Sequence, residues 1–210
     1  MSKTSNYQLT FRNKTDRAWQ LAIFIVLPGA RLDSVCWKRL TAAGGGQSQP
    51  FNWSPQLFVA VGGFRRERGK LVYSTLHQER AEPGSRWKIV MRNGAAQLEA
   101  DGRAQISDQI QVKNDSGGAL SLGLGLESVG AIFKREVPSG LLESFDTSPT
   151  YFAQAFDSIA PGQLISDGQS LRTTGLTEPL PLDSGALEVS IEKSGDSIRL
   201  VSNNIQVNLT

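Results

Sequence analysis

One cysteine, one histidine and two methionines stand in a chain of 210 residues. A lone cysteine excludes an intramolecular disulfide framework and any cysteine-rich zinc site. A lone histidine excludes every mechanism that needs two imidazoles, and no cofactor or metal site is expected. Long apolar runs are missing as well. The longest, Leu21 to Leu27, falls far short of the ~20 residues of a membrane helix, so no membrane span is expected. Met1 to Thr10 holds no apolar stretch of the secretory kind. A reduced, cytoplasmic setting is therefore expected, with lysis or a signal-independent route open for release. The net charge of +2 is too small to argue for a nucleic-acid partner, and none is expected. With 39% apolar and 20% charged residues the chain is neither disordered nor membrane-like, and 21 glycines and nine prolines point to many turns.

What is present is a repeat. Leu9, Phe11, Asn13, Thr15, Ala18, Leu21, Ile23 and Ile25 fall on Ile110, Val112, Asn114, Ser116, Ala119, Leu122, Leu124 and Leu126 at a spacing of 101. At a spacing of 94, Phe51-Asn-Trp-Ser-Pro55 and Phe58 fall on Phe145-Asp-Thr-Ser-Pro149 and Phe152. At 100, Trp87, Ile89, Met91 and Leu98 fall on Leu187, Val189, Ile191 and Ile198. The order is kept and the gaps are short, which implies a tandem duplication joined in the polar stretch 99–107.

Within each copy the apolar period is two. Tyr7, Leu9 and Phe11 alternate with Gln8 and Thr10, and Leu120, Leu122, Leu124 and Leu126 with Ser121, Gly123 and Gly125. Such alternation marks strands with one face on a core. Turn chemistry at Asn13 to Asp16 and Asn114 to Gly118 separates the first two strands of each copy. Further strands are expected at 34–40, 57–64, 71–77, 87–92 and 95–99, then at 129–134, 151–156, 170–174, 187–192 and 197–201. No segment has a helical period. The fold class is all-β: two tandem antiparallel β-sandwich domains related by internal duplication, at 1–102 and 103–210.

The run Tyr7-x-Leu-x-Phe-x-Asn13, followed by Val35-Cys-Trp37, Phe51-Asn-Trp53 and Phe58-Val59, resembles the opening half of the RhiA-like proteins, named for a rhizosphere-expressed protein of plant-associated bacteria. Leu122-Gly-Leu-Gly-Leu126, the small residues up to Ala131, Phe145 with Thr150-Tyr-Phe152, and Gly162-Gln163 resemble its second half. The resemblance covers most of the chain and implies a bacterial source. Ile23-Phe24 stands where the family often carries cysteine or tyrosine, and the first half is more basic than usual. The family supplies no reaction.

Chemistry is sparse. No G-x-S-x-G elbow accompanies His77, which reads as an exposed edge histidine. Cys36, between Val35 and Trp37, reads as a small buried apolar group. Glu143 and Asp146 read as solvated loop acids rather than a hydrolytic pair. Gly44-Gly-Gly46 lacks the Lys-Ser/Thr and the helix of a phosphate loop. The expectation is that the chain is not an enzyme.

Binding features are more distinct. Arg65, Arg66, Arg68 and Lys70 crowd a segment that reads as a hairpin tip, either a solvated loop or a grip for phosphate, sulfated sugar or an acidic protein surface. Residues 1–104 hold 16 Lys/Arg and 7 Asp/Glu, a balance of +9, whereas residues 105–210 hold 6 and 13, a balance of −7. Opposite signs favour contact between unlike halves, within one chain or between chains. Phe24 projects opposite Leu21 and Ile23 on its strand, and Gly123 and Gly125 occupy the matching stretch of the second copy, which suits docking between copies. Trp53, before Ser54-Pro55, is a platform for a sugar ring or a packed edge residue. The first reading is a non-catalytic interaction or structural protein in bacterial host or community interaction, self-associating as a homo-oligomer through basic and acidic domains. A lectin-like carbohydrate-binding protein is the alternative, and a membrane-active protein comes third.

Overall fold

Leu9, Phe11 and Asn13 are buried while Gln8 and Arg12 face solvent, and this alternation recurs along the chain as strand after strand. The computed structural model describes residues 6–27, 32–127, 129–166, 174–175, 179–182, 186–195 and 197–205. The strands of the first half are β1 (Tyr7–Asn13), β2 (Trp19–Val26), β3 (Asp33–Ser34), β4 (Lys38–Ala42), β5 (Ser48–Trp53), β6 (Leu57–Glu67), β7 (Lys70–Arg80), β8 (Ser85–Arg92) and β9 (Ala95–Arg103). Those of the second are β10 (Gln109–Asn114), β11 (Leu120–Leu126), β12 (Val129–Val137), β13 (Leu142–Asp146), β14 (Thr150–Phe156), β15 (Thr174–Gly175), β16 (Ala186–Ser194) and β17 (Ser197–Ile205). Among the described residues there is no α-helix. Among those residues no helix is long and apolar enough to cross a membrane.

The chain is all-β, but its halves do not close separate sandwiches. The four sheets run β17-β16-β1-β5, β9-β8-β10-β13, β3-β12-β11-β6-β7 and β15-β14-β2-β4, so every sheet pairs strands from both sides of residue 103. One buried cluster correspondingly joins Leu9, Trp19 and Val59 to Val112, Leu124 and Val189. Full burial of each such side chain contributes on the order of 1.5–3 kcal/mol, and here the gain is shared between the halves. Nor are all the pairings antiparallel: β1 runs parallel to β16 and β10 parallel to β8. Both parallel pairs join strands of different halves with no hairpin between them, which leaves the direction free; the other cross-half pairs, β6 with β11, β3 with β12 and β2 with β14, are antiparallel.

The single strand expected at 34–40 is two. Its middle, Val35 to Trp37, leaves one sheet for another: Val35 bridges to Leu164, and the Trp37 indole donates to Leu126 O at 3.0 Å. β5 and β13 were not foreseen as strands, since Pro50 and polar residues blur their period and both lie at sheet edges. Of the strand expected at 170–174 only Thr174, the first residue of β15, lies within the described residues.

Two turns are built alike. The buried Asn13 side chain donates to Arg17 O (2.6 Å) and Ala42 O (2.9 Å) and accepts from Thr15 N (3.0 Å). The buried Asn114 side chain donates to Gly118 O and Val137 O, both at 2.8 Å, and accepts from Ser116 N (3.1 Å). Each turn then adds a bond into the other half, Lys14 N to Ile191 O and Asp115 N to Ile89 O, both at 2.9 Å. Backbone groups that a turn would leave orphaned are thereby satisfied inside the protein.

Candidate functional site

β6 and β7 form a long hairpin whose two-residue turn, Arg68 and Gly69, has φ of 49° and 82°. Positive φ at both positions matches the right-handed twist of the flanking strands. The turn displays Arg65, Arg66, Arg68 and Lys70 beyond the body of the sheet, as the sequence suggested. Arg65 is paired with Glu67, and Arg66 reaches Gly69 O at 3.5 Å.

Facing this tip is a strap that sequence reasoning did not assign to any site. After β14 the chain crosses the molecule over residues 157–165. Gly162 N donates to Cys36 O, Cys36 N to Gln163 O and Ile165 N to Ser34 O; on the other side Tyr73 N donates to Gly162 O and Leu164 N to Leu71 O. The strap therefore joins residues 71–73 of β7 to the end of β3, tying together the two edges of the five-stranded sheet. Val35, Ala60, Tyr73, Phe133 and Leu164 pack inside the closed ring, with Tyr73 stacked on Phe133 at 3.5 Å. Asp157 anchors the start of the strap on Arg17 at 3.1 Å.

Between strap and hairpin tip lies a cleft of about 550 Å³, within the range of small-molecule sites. Arg39, Arg68 and Lys70 rim it together with Glu67, and Val72, Ile159, Ala160 and Gln163 line it. Consecutive strap carbonyls hold two of the cations: Arg39 donates to Ile159 O (3.2 Å) and Lys70 to Ser158 O (3.4 Å). Gln163 is fully buried. Its Oε1 accepts from Ala160 N at 3.1 Å, while its Nε2 has no hydrogen-bond partner among the described residues.

The cations that line the cleft have no carboxylate partner among the described residues. Among the described residues twelve Lys and Arg side chains have a carboxylate within 4.0 Å. Arg39, Arg68 and Lys70 at the cleft do not, nor do Lys38, Arg66, Arg103 and Lys193 away from it. The cleft thus concentrates uncompensated positive charge beside a buried amide donor, an arrangement suited to an anion. Sequence reasoning missed Arg39 because an alternating strand gives no sign of what faces its outer side. The strap was missed because its partners lie far away in the chain.

The remaining expected positions lie elsewhere. Trp53 is only 2% exposed, stacked on Phe51 at 5.2 Å and close to Trp37 and Tyr151, so its face is closed to a sugar. Phe24 stacks on Phe152 of β14 at 5.8 Å rather than on glycines. Gly123 and Gly125 are buried: a Cβ at the first would overlap Ile132 O and the Phe133 ring, and at the second Val129 O. Those glycines admit the hairpin partner β12 and its aromatic ring, not a second domain. His77 is half-buried instead of exposed, its Nδ1 accepting from Leu98 N at 3.0 Å. Cys36 lies buried beneath the strap, where desolvation pushes its thiol from 9.0 up to about 12 against the opposing pull of Arg39. Glu143 is paired with Lys134 at 3.0 Å, and Asp146 accepts from Gln109 at 3.1 Å.

The opposite charges of the two halves meet inside the chain. Arg12 faces Glu188 at 3.7 Å, Lys14 faces Glu192 at 2.6 Å, and Arg17 holds Asp157. The Lys14 ammonium and the Ser190 hydroxyl keep the Glu192 carboxyl below its ordinary range.

A family model described as RhiA matches residues 4–187. No curated protein and no solved structure matches the chain.

Proposed function

The chain belongs to the RhiA family, and we propose that it is a non-catalytic, lectin-like binding protein whose cleft between hairpin tip and strap takes an acidic glycan. The observation that carries this reading is the grouping of Arg39, Arg68 and Lys70, without carboxylate partners among the described residues, around a cleft that also holds the unpartnered Gln163 amide. A hydrogen bond to a charged group is worth about 1.5–3 kcal/mol, so a few such contacts suffice for a useful affinity. Self-association through unlike halves, in bacterial host or community interaction, is the weaker reading. Arg12, Lys14 and Arg17 already spend their charge on carboxylates of their own chain.

We also infer that the halves descend from one duplicated unit whose copies exchanged strands. The paired networks of Asn13 and Asn114 support this, as does the like make-up of the sheets β17-β16-β1-β5 and β9-β8-β10-β13. Their bonds align Ile89 with Ile191, a spacing of 102 rather than the 100 read from apolar residues alone. On this view the departure of the second copy at 157–165, where the first has a tight hairpin, is what created the cleft.

Retention on an immobilised sulfated polysaccharide, against a neutral one, tests the reading. The wild type should be retained and released by salt. The variant R39A/R68A/K70A should pass through unretained with an unchanged melting curve; equal retention of both proteins would overturn it.

A further inference from the structure

The cleft's chemistry narrows its ligand further, and this step rests on the anionic-partner reading above. Its donors come from three separate parts of the chain: Arg39 on β4, Arg68 and Lys70 at the hairpin tip, and Gln163 in the strap. Arg39 and Lys70 each have one N–H engaged by a strap carbonyl and the others free to turn toward the opening. A planar carboxylate offers two oxygens in one plane and is matched by a single guanidinium fork. Donors converging from several walls are better matched by a group with three terminal oxygens arranged tetrahedrally. The charge agrees: three cations stand against Glu67, whose own partner is Arg65. The lining by Val72, Ile159 and Ala160 gives an apolar surface against which a small carbon skeleton packs.

We propose that the cleft is a binding site for a phosphate or sulfate ester of a sugar-sized molecule, with Arg39, Arg68 and Lys70 around the ester oxygens and the Gln163 amide nitrogen as an additional donor. A phosphate ester loses its second proton near pH 6, whereas a sulfate half-ester carries a single charge throughout. Titration therefore distinguishes the two sources of the same chemistry.

The test is calorimetric titration of the full chain with glucose 6-phosphate, glucose 6-sulfate, glucuronate and glucose. At least one ester should bind, glucuronate on the order of tenfold more weakly, and glucose not at all. R39A and K70A should each weaken the ester by about tenfold or more, and Q163L by less, with melting curves that show each variant folded. Tighter binding at pH 7.5 than at pH 5.5 assigns the site to phosphate esters, and pH-independent binding assigns it to sulfate. Equal binding of glucuronate and ester overturns the proposal. So does the absence of any binding by these small ligands while the sulfated polysaccharide still retains the wild type and not R39A/R68A/K70A; in that outcome the wider reading stands. Loss of both kinds of binding removes the two together.

Discussion

Asn13 and Asn114, 101 residues apart, are each completely buried and each spend both amide hydrogens on two backbone carbonyls. In both, one carbonyl belongs to the residue four further on and the other to a neighbouring strand, Ala42 of β4 or Val137 of β12. Aspartate in place of either would lose the donors and bury a charge; alanine would take the side-chain donor from Ala42 O or Val137 O and the acceptor from an N–H, while the Thr15 or Ser116 hydroxyl still donates to Arg17 O or Gly118 O. Asn13→Ala and Asn114→Ala should each cost about 2–4 kcal/mol in urea unfolding, and by similar amounts. A loss at one site with little effect at the other would show that the two networks are not energetically alike.

Much of this was legible in the sequence, and for identifiable reasons. Period-two alternation located β1, β2 and β11, because each has one face on a core, and the spacing of 101 singled out Asn13 and Asn114 as counterparts before any contact was known. What escaped was the identity of the partners. Alternation says that Leu9 needs a core; it does not say that β1 lies beside β16 and so borrows the other half's strand. Trp53 illustrates the same gap, since a tryptophan before Ser-Pro reads as an edge until Phe51, Trp37 and Tyr151 close around it. The hairpin tip was readable as four cations in six residues. Its facing wall was not, because the strap's bonds to Cys36 and Tyr73 join residues about ninety to 130 positions apart, a separation at which local pattern carries no information.

Gly123 is required by packing. With no room for a Cβ beside Ile132 O and the Phe133 ring, Gly123→Ala should destabilise by about 1–3 kcal/mol, and Gly123→Val should fail to fold or fold with a rearranged β12. Gly94, at the β8–β9 turn with open space around it and a φ of 77°, is a control of the opposite kind, where alanine meets only the cost of a left-handed backbone. Thermal melting of the Gly123→Ala protein that matched the wild type would mean that β12 can move aside.

The Cys36 thiol gives the protein an alkaline limit. Burial raises its pKa from 9.0 to about 12, so the native state holds the proton where the unfolded chain gives it up. The contribution to stability is whole below pH 9 and declines as the pH rises from 9 toward 12, since only the unfolded state then gains the favourable ionisation. Cys36→Ala should flatten that decline, measured by urea unfolding at several alkaline pH values. A thiol reagent at pH 8 should leave the native protein unmodified and react fully once denaturant is added, whereas rapid native reaction would place the sulfur at the surface.

Sheets shared between halves imply a single unfolding transition, and the distribution of tryptophan allows a direct test. All four tryptophans, at positions 19, 37, 53 and 87, lie in the first half, so fluorescence follows that half while far-ultraviolet dichroism follows both. The two signals should change at the same urea concentration, because neither half retains its sheets without strands from the other. The same arrangement predicts tolerance of new chain ends. Residues 104–108 carry the chain from β9 to β10 past β8, and β17 and β1 flank β16 in the corresponding way. A permuted chain opened within 104–108, with Ile205 joined to Tyr7 by a five-residue Gly/Ser linker, should keep the wild-type dichroism spectrum and a single transition. Separate transitions for the two signals, or a permuted chain that does not fold, would mean that the halves are less alike and less interdependent than their shared sheets imply.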